Sequence, residues 1–207
     1  MDAYAWPSRI YDAALEPMNA PVRQVALGMV PPQPGWVVVD AACGTGAALA
    51  EYRNAGCRVI GTDVSPAMLG QARARLGPDA DLRQAGDGVL PVEDGSADLV
   101  LLSLVLHSIP REDALRLLAE SSRALAVGGR ILVTDFRAGS LRFPRGFVTR
   151  GFAVVAECLA GPAHARNALA YMRAGGLPTL VEQAGLAITS SRPTGGGNIV
   201  IAVVDKA

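Results

Sequence analysis

Three aspartates follow strand-like segments in the first half of the chain, the third segment being the weakest. Asp40 follows the valines of WVVVD, Asp63 follows VIGT, and Asp87 follows DLRQAG. Gly44-Thr45-Gly46 comes shortly after the first of them. The carboxyl ends of parallel strands meet at one edge of an open sheet, where ligands bind, so three acids around a glycine turn predict a shared ligand site. Such an anionic cleft suits a cationic ligand better than a phosphate-rich one.

The spacing of the glycines argues against two common nucleotide motifs. Gly44 and Gly46 would let the backbone approach a ligand closely, beside the amide donors of a helix N-terminus. A dinucleotide fingerprint needs a third small residue where this chain has Leu49, and a P-loop needs a Lys-Ser/Thr pair that does not follow these glycines. A tight strand-to-helix turn also uses glycine for structural reasons alone, and for this segment by itself that alternative stays open.

The remaining polar candidates each have a functional and a structural interpretation. Asp63 can accept hydrogen bonds from both ribose hydroxyls of a nucleoside, or it can cap the helix that begins after Ser65. Asp87 can accept from the exocyclic amine of adenine, with Gly88 leaving the base edge accessible, or it is an ordinary turn aspartate. His107 follows the fourth apolar run. Its reference pKa of about 6.5 suits a general base near neutral pH, and a structural histidine at the strand end is the alternative.

An alternation of strand and helix patterns would bring these residues together. Helical patterns of 10–15 residues separate most of the apolar runs, which is typical of an α/β protein with helices on both faces of a mostly parallel sheet. Two final strands flank Thr194-Gly195-Gly196-Gly197 and predict an antiparallel hairpin. The expected fold is therefore a Rossmann-like, doubly wound, seven-stranded sheet ending in this hairpin. The strands are expected at 36–41, 57–62, 81–86, 97–105, 129–136, 187–193 and 198–205.

The whole chain, 1–207, is predicted to be a single domain with two additions to the sheet. Residues 1–35 read as an N-terminal helical cap, with the helix broken near Pro17 and Pro21. Residues 137–176 carry no strand pattern and read as a helical insert over an acceptor site. The aromatic and aliphatic residues of this insert are expected to line a hydrophobic pocket or to pack the insert onto the sheet.

Composition narrows the classes of function. Lysine plus arginine and aspartate plus glutamate number 19 each, and this balance argues against a general polyanion binder. Three cysteines and two histidines form no recognisable zinc pattern, so no metal site is predicted. No apolar run approaches the roughly 20 residues that span a bilayer. Together with unpaired-looking thiols, this predicts a cytoplasmic protein without an integral membrane segment.

Four stretches together resemble a known family. VVVDAACGTG, VIGTDVSPAML, AGDGVLPVEDGSADLVLLSLVLHSIP and SSRALAVGGRILVTDF are similar to consecutive motifs of the class I S-adenosylmethionine-dependent methyltransferases. The closest similarity is to the group that includes the ubiquinone/menaquinone biosynthesis C-methyltransferases. The family resemblance covers residues 36–136, and it extends to the C-terminal hairpin by architecture. The chain departs from the family pattern at three places: Ala42 replaces a common glycine, Val127 replaces a proline, and His107-Ser108 stands where two histidines are frequent.

The resemblance implies a role for each site residue. The turn would hold the methionine moiety through Asp40, Ala42, Cys43, Gly44 and Gly46. Asp63, followed by Val64, would take the ribose, and Asp87 with Gly88 the adenine. Ser103 would line the cofactor near the methyl donor, Tyr11 would close over it, and His107 is the candidate catalytic base.

The predicted function is methyl transfer from S-adenosylmethionine to a small, apolar or aromatic acceptor by in-line displacement. The methyl would go to carbon or oxygen and S-adenosylhomocysteine would leave. Two alternatives stay open: a methyltransferase-like scaffold that binds the cofactor without turnover, and an NAD-dependent oxidoreductase. A nucleic-acid substrate is not expected, since the chain lacks a basic domain to hold a polymer. A homodimer remains an open alternative.

Overall fold

The computed structural model describes residues 8–86 and 88–206, with the backbone alone for residues 8–15. Within these residues, seven strands form one sheet in the order β3-β2-β1-β4-β5-β7-β6. Only β7 runs antiparallel to its neighbours, β5 and β6. The predicted fold, a mostly parallel sheet ending in an antiparallel hairpin, is confirmed. The strands are β1 Val37–Ala41, β2 Arg58–Asp63, β3 Asp81–Gln84, β4 Ala97–Ser103, β5 Leu125–Phe136, β6 Leu186–Thr194 and β7 Ile199–Lys206.

Seven α-helices accompany these strands in the described ranges. Ser65 caps α3, because its hydroxyl accepts a hydrogen bond from the Met68 amide at 3.2 Å, and Pro66 occupies the first helical position as its sequence context predicts. None of these helices combines the length and apolarity needed to cross a bilayer. The helices are α1 Ser8–Met29, α2 Ala47–Asn54, α3 Pro66–Leu76, α4 Arg111–Ala124, α5 Arg145–Ala160, α6 Pro162–Arg173 and α7 Leu177–Gln183.

The core has two layers, one on each face of the sheet. Val38 and Val39 are neighbours on β1, yet both are fully buried and they belong to different apolar clusters. Helices α1, α2 and α3 cover the Val38 side, and α4 and α7 cover the Val39 side. Burial on both faces explains why the first strand is a continuous apolar run and does not alternate with polar residues.

The element boundaries differ from the sequence prediction in two informative places. Helix α1 continues through Pro17 and Pro21, where a break was expected. A proline removes one helical hydrogen bond, but Val22 belongs to the buried cluster under α1, and this packing favours continuity of the helix. Strand β5 starts at Leu125, earlier than predicted, because Leu125 pairs with Ala97 before a register shift in the ladder.

Candidate functional site

The turn after β1 is fastened to the end of β2 by backbone hydrogen bonds. The amides of Ala42 and Cys43 both donate to the Thr62 carbonyl, at 2.9 and 2.8 Å. The Gly44 amide donates to Asp63 Oδ2 at 2.9 Å. The first glycine turn and the second aspartate therefore form one unit at the carboxyl edge of the sheet, as predicted from their positions.

The two glycines of this turn serve different purposes. Both have a left-handed backbone, with φ of 54° at Gly44 and 75° at Gly46. A Cβ on Gly44 would meet no atom within 4 Å, whereas one on Gly46 would lie 3.1 Å from the Leu76 side chain and 3.2 Å from that of Ala72. Gly46 thus permits the close approach of α2 and α3, and Gly44 leaves an open space in the turn.

Ala42 shares this backbone geometry, with φ of 76°. The left-handed region costs an L-residue roughly 1–2 kcal/mol, so the family's glycine at this position has a steric explanation. The thiol of the adjacent Cys43 is buried, and its pKa is raised by burial and by the charges of Asp40 and Asp63. Cys43 is therefore a small apolar wall of the turn and not a nucleophile.

Asp40 is a buried carboxyl with an unsatisfied oxygen. Only 1% of the residue is exposed, and its Oδ1 has no hydrogen-bond partner among the described residues. Burial, followed by the neighbouring charge of Asp63, raises its pKa to about 7. A cation placed in the open turn would stabilise the ionised form. The turn therefore fits a ligand with a positive charge, such as the sulfonium and ammonium groups of S-adenosylmethionine.

Asp63 uses both carboxylate oxygens within the protein. Oδ2 accepts from the Gly44 amide, and Oδ1 accepts from the Ser65 amide at 2.9 Å. Asp63 therefore fastens the turn before α3, and the cap of that helix is Ser65. Each oxygen has a second lone pair, so these bonds also orient the carboxylate for a ligand hydroxyl. The ribose role remains a prediction.

The other predicted cofactor residues are dispersed along the same edge. Val64 is exposed next to Asp63, and Ser103 is the half-buried last residue of β4. Gly88 is exposed, and the Arg116 side chain from α4 lies against it. Asp87 lies outside the described residues, and so does the side chain of Tyr11, whose backbone belongs to α1.

His107 lies at the centre of a buried array of charged groups. Its Nδ1 is 2.6 Å from Asp135 Oδ1, and its Nε2 is 3.2 Å from Glu157 Oε1. Asp135 also accepts from the backbone amides of Leu106 and His107 through Oδ2. The Phe136 ring stacks on the imidazole with a centroid distance of 4.1 Å. The array joins the turn after β4, the end of β5 and helix α5.

These contacts decide the charge of the imidazole. Burial lowers the pKa of His107, but the two carboxylates outweigh it and raise the pKa to about 9. The ring is therefore protonated at neutral pH and donates from both nitrogens. A general base must be neutral, so this geometry favours a role for His107 in positioning rather than in proton removal.

A pocket adjoins this array between α1 and α5. Its empty volume is about 490 Å³, and this figure includes space that is open to solvent. Leu104, which follows Ser103, has a left-handed backbone with φ of 55°, and strain of this kind clusters at ligand sites. Glu157 Oε2 is shielded from solvent and has no hydrogen-bond partner in the described structure. The pocket is lined by Met18 and Asn19 of α1, Phe152 and Glu157 of α5, and Leu104, His107 and Asn198 of the sheet edge.

Sequence reasoning missed two members of the array. Asp135 has the same signal as the other acids, since it nearly ends a buried strand in ILVTDF, so its position could have been found. Glu157 is the single acid in the 137–176 insert, and this was the only clue to it. The insert's aromatic residues were expected to face the pocket or the sheet. Phe152 does line the pocket, but Phe143, Phe147 and Leu159 are exposed.

Comparison with known proteins agrees with this geometry. Residues 39–133 match the methyltransferase domain family. Among the relatives, a malonyl-[acyl-carrier protein] O-methyltransferase of Serratia marcescens is 34% identical over 144 residues, covering 68% of this chain and 53% of that protein. A demethylmenaquinone methyltransferase of Corynebacterium kroppenstedtii is 39% identical over 106 residues, covering 51% and 44%. The chain thus spans about half the length of the curated relatives it matches.

The fold has close counterparts among solved structures. The methyltransferase solved with the Haloferax volcanii Trm112 methyltransferase activator superposes with a TM-score of 0.67 at 24% identity, covering 98% of this chain and 96% of that one. Other solved neighbours include S-adenosylmethionine-dependent methyltransferases. Sequence match, sheet order and a turn that fits a cationic ligand lead to one assignment: residues 39–133 form a methyltransferase domain with the class I fold of S-adenosylmethionine-dependent methyltransferases.

Proposed function

We propose that this chain transfers a methyl group from S-adenosylmethionine to a small, apolar or aromatic acceptor bound in the pocket between α1 and α5. The observation that carries this proposal is the adjacency of two sites along β4. Ser103, a predicted cofactor residue, ends the strand, and Leu104 and His107, which follow it, line the pocket. A donor held by the Asp40 turn and an acceptor in the pocket would meet at this point.

The cofactor residues divide the ligand between them. Asp40 and Gly44 hold the methionine end, Asp63 the ribose, and Asp87 with Gly88 the adenine. The exposed side chain of Val64 offers an apolar surface to the base. The donor supplies an activated methyl on a sulfonium and leaves as S-adenosylhomocysteine. The protein then has to align the acceptor and exclude water, and positioning of this kind can supply about 7–11 kcal/mol.

An oxygen acceptor must also lose a proton, and Glu157 is placed to take it. Its Oε1 is held by the protonated His107. Its Oε2 makes no hydrogen bond within the described residues, lies 3.8 Å from His164 Nδ1 and belongs to a pocket-lining residue. In this step the acceptor oxygen gains the methyl, its proton moves to Glu157 Oε2, and the sulfonium charge is lost. Asp135 and His107 are positioning residues that hold the carboxylate in place.

The first experiment measures S-adenosylhomocysteine release with a panel of phenols, quinols and hydroxylated apolar compounds. Turnover with at least one compound is expected. Calorimetric binding of S-adenosylmethionine without release from any acceptor would favour the scaffold alternative. Binding of NADH in place of S-adenosylmethionine would contradict the proposal.

Glu157→Gln tests the proton acceptor once a substrate is found. The amide keeps the shape but cannot take the proton, so kcat should fall roughly 10²–10⁴-fold while the Kd for S-adenosylmethionine stays unchanged. Glu182→Gln, an exposed glutamate on α7, is the matched control and should retain full activity.

The pH dependence of kcat separates the roles of Glu157 and His107. With His107 as a protonated positioning residue, activity should fall as the pH rises through about 9. With His107 as the base, activity would instead rise through the same pH. A rising limb near pH 9, or an unaltered kcat in Glu157→Gln, would refute the assignment to Glu157.

A further inference from the structure

Helix α5 has an inverted polarity. Its buried side chain is the carboxylate of Glu157, and the one other buried position is Gly146. Its large apolar residues lie outside: Phe147, Val148, Phe152, Val154, Val155 and Leu159 are all more than half exposed. A helix of a soluble domain normally turns its apolar stripe toward the core. In α5 the carboxylate of Glu157 faces the core, and the large apolar side chains face outward.

The exposed residues form one continuous surface. At roughly 100° per residue they occupy an arc of about 160° on one side of α5, which we call the apolar stripe. Phe143, just before the helix, extends the stripe, since its ring lies 6.1 Å from that of Phe147. A contiguous exposed apolar surface of this kind is typical of a site that binds another protein or a membrane.

The charge of the surrounding segment indicates which kind of partner binds the apolar stripe. Residues 137–176 contain six arginines and one acid, although the whole chain has no net charge. The acid is the buried Glu157, so it does not offset the arginines at the surface. Arg142 and Arg145 are exposed beside the start of α5, and no carboxylate of the described residues pairs with either. An apolar stripe flanked by free arginines is complementary to an anionic lipid surface.

The stripe also meets the mouth of the pocket. Phe152 belongs to both, because its side chain lines the pocket and is 58% exposed. A partner that covers the apolar stripe would therefore lie at the pocket entrance, through which an apolar ligand reaches His107 and Glu157.

We propose that helix α5 docks the protein on an anionic lipid bilayer, with the apolar stripe inserted into the headgroup region and Arg142 and Arg145 against the lipid phosphates. The helix would lie in the plane of the interface and would not span the membrane. Docking of this kind does not depend on methyl transfer and can be measured without an acceptor.

The test is co-sedimentation of the full chain with vesicles. Binding is expected to vesicles that contain phosphatidylglycerol, to weaken with rising salt, and to be at least tenfold weaker to pure phosphatidylcholine. Each of Arg142→Ser and Arg145→Ser should weaken binding about fivefold. The triple variant Phe147→Ser/Val155→Ser/Leu159→Ser should abolish it, and because these side chains are exposed, its circular dichroism should match the parent.

Matched controls come from surfaces far from α5 in the sheet. Val127→Ser changes an exposed apolar residue near the opposite end of β5, and Arg58→Ser changes an exposed arginine at the start of β2. Both should bind vesicles like the parent. Two results would overturn the proposal: no binding to anionic vesicles, or light scattering that shows a dimer in the parent and a monomer in the triple variant. The second result would assign the stripe to a second copy of the chain.

Discussion

At Asp40, burial and the charge of Asp63 hold a carboxyl pKa at about 7, and one oxygen of this carboxyl has no hydrogen-bond partner in the described part of the chain. A ligand cation in the adjacent turn would favour ionisation and pull this pKa down. Cofactor binding in this turn would therefore be coupled to proton release at a single residue.

This coupling gives a measurable pH dependence. Binding of S-adenosylmethionine at pH 6 should release close to one proton, and its affinity should rise up to tenfold per pH unit until the pH passes about 7. Asp40→Asn should bind more weakly and release no proton in this range, whereas Asp79→Asn, at an exposed position, should behave as the parent. Calorimetry in two buffers of different ionisation enthalpy counts the protons. Equal heats in both buffers would contradict the coupling.

Individual residues also show where sequence reasoning stops. The positions of Asp40 and Asp63 at the sheet edge followed from the strand pattern, and the structure places both there. The environment of His107 did not follow, because its partners lie 28 and 50 residues away, on β5 and α5. A reference pKa near 6.5 suggested a base, and two distant carboxylates raise that pKa and favour a positioning role.

At the scale of elements, Gly46 at the α2–α3 contact and Gly44 in the open turn can be compared by substituting each with alanine. Gly46→Ala adds a Cβ in a left-handed conformation and against Leu76, so it should lower the free energy of unfolding by about 1–2 kcal/mol or more. Gly44→Ala has the left-handed strain without the clash.

The two glycine variants should therefore separate stability from binding. Gly44→Ala should lose at least tenfold in affinity for S-adenosylmethionine, because its methyl group enters the open space of the turn. Thermal unfolding and calorimetry on both variants check this. Unchanged affinity in Gly44→Ala would mean that the cofactor does not occupy this space.

Helix α5 shows a limit of pattern reading at the scale of elements. The predicted helical insert contains α5, and the spacing of Phe147, Val155 and Leu159 is that of one side of this helix. It carries no information about whether that side faces the sheet or the solvent, since both orientations have the same period. Only the buried Glu157, recognised through its contact with His107, fixes the orientation.

For the whole molecule, the buried array links stability to pH. The pKa of His107 is about 9 when folded and about 6.5 when unfolded, so its stabilising contribution is complete below pH 6.5 and is lost as the pH rises through 9. Between pH 7 and 9 the free energy of unfolding should fall by up to about 1.4 kcal/mol per pH unit. Urea titrations across this range check it. His107→Gln should be less stable at pH 7 and should lack this slope; an identical slope would show that another group is responsible.

The architecture was the most predictable level. Alternating strands and helices, the final hairpin and the sheet edge that brings Asp40 and Asp63 together all follow from period, turn residues and general rules for α/β sheets. The order of the strands around β7 did not follow, because the pairing of β5 with β7 rather than with β6 depends on contacts distant in sequence.

That strand order has a consequence for how the protein is made. Strand β7 lies between β5 and β6 although it comes after both in the chain. During synthesis the first five strands can associate as they emerge, but β5 keeps an unpaired edge until residues 199–206 have left the ribosome. An exposed strand edge is a template for pairing with other chains, so the nascent protein passes through an aggregation-prone interval that lasts until β7 pairs with β5.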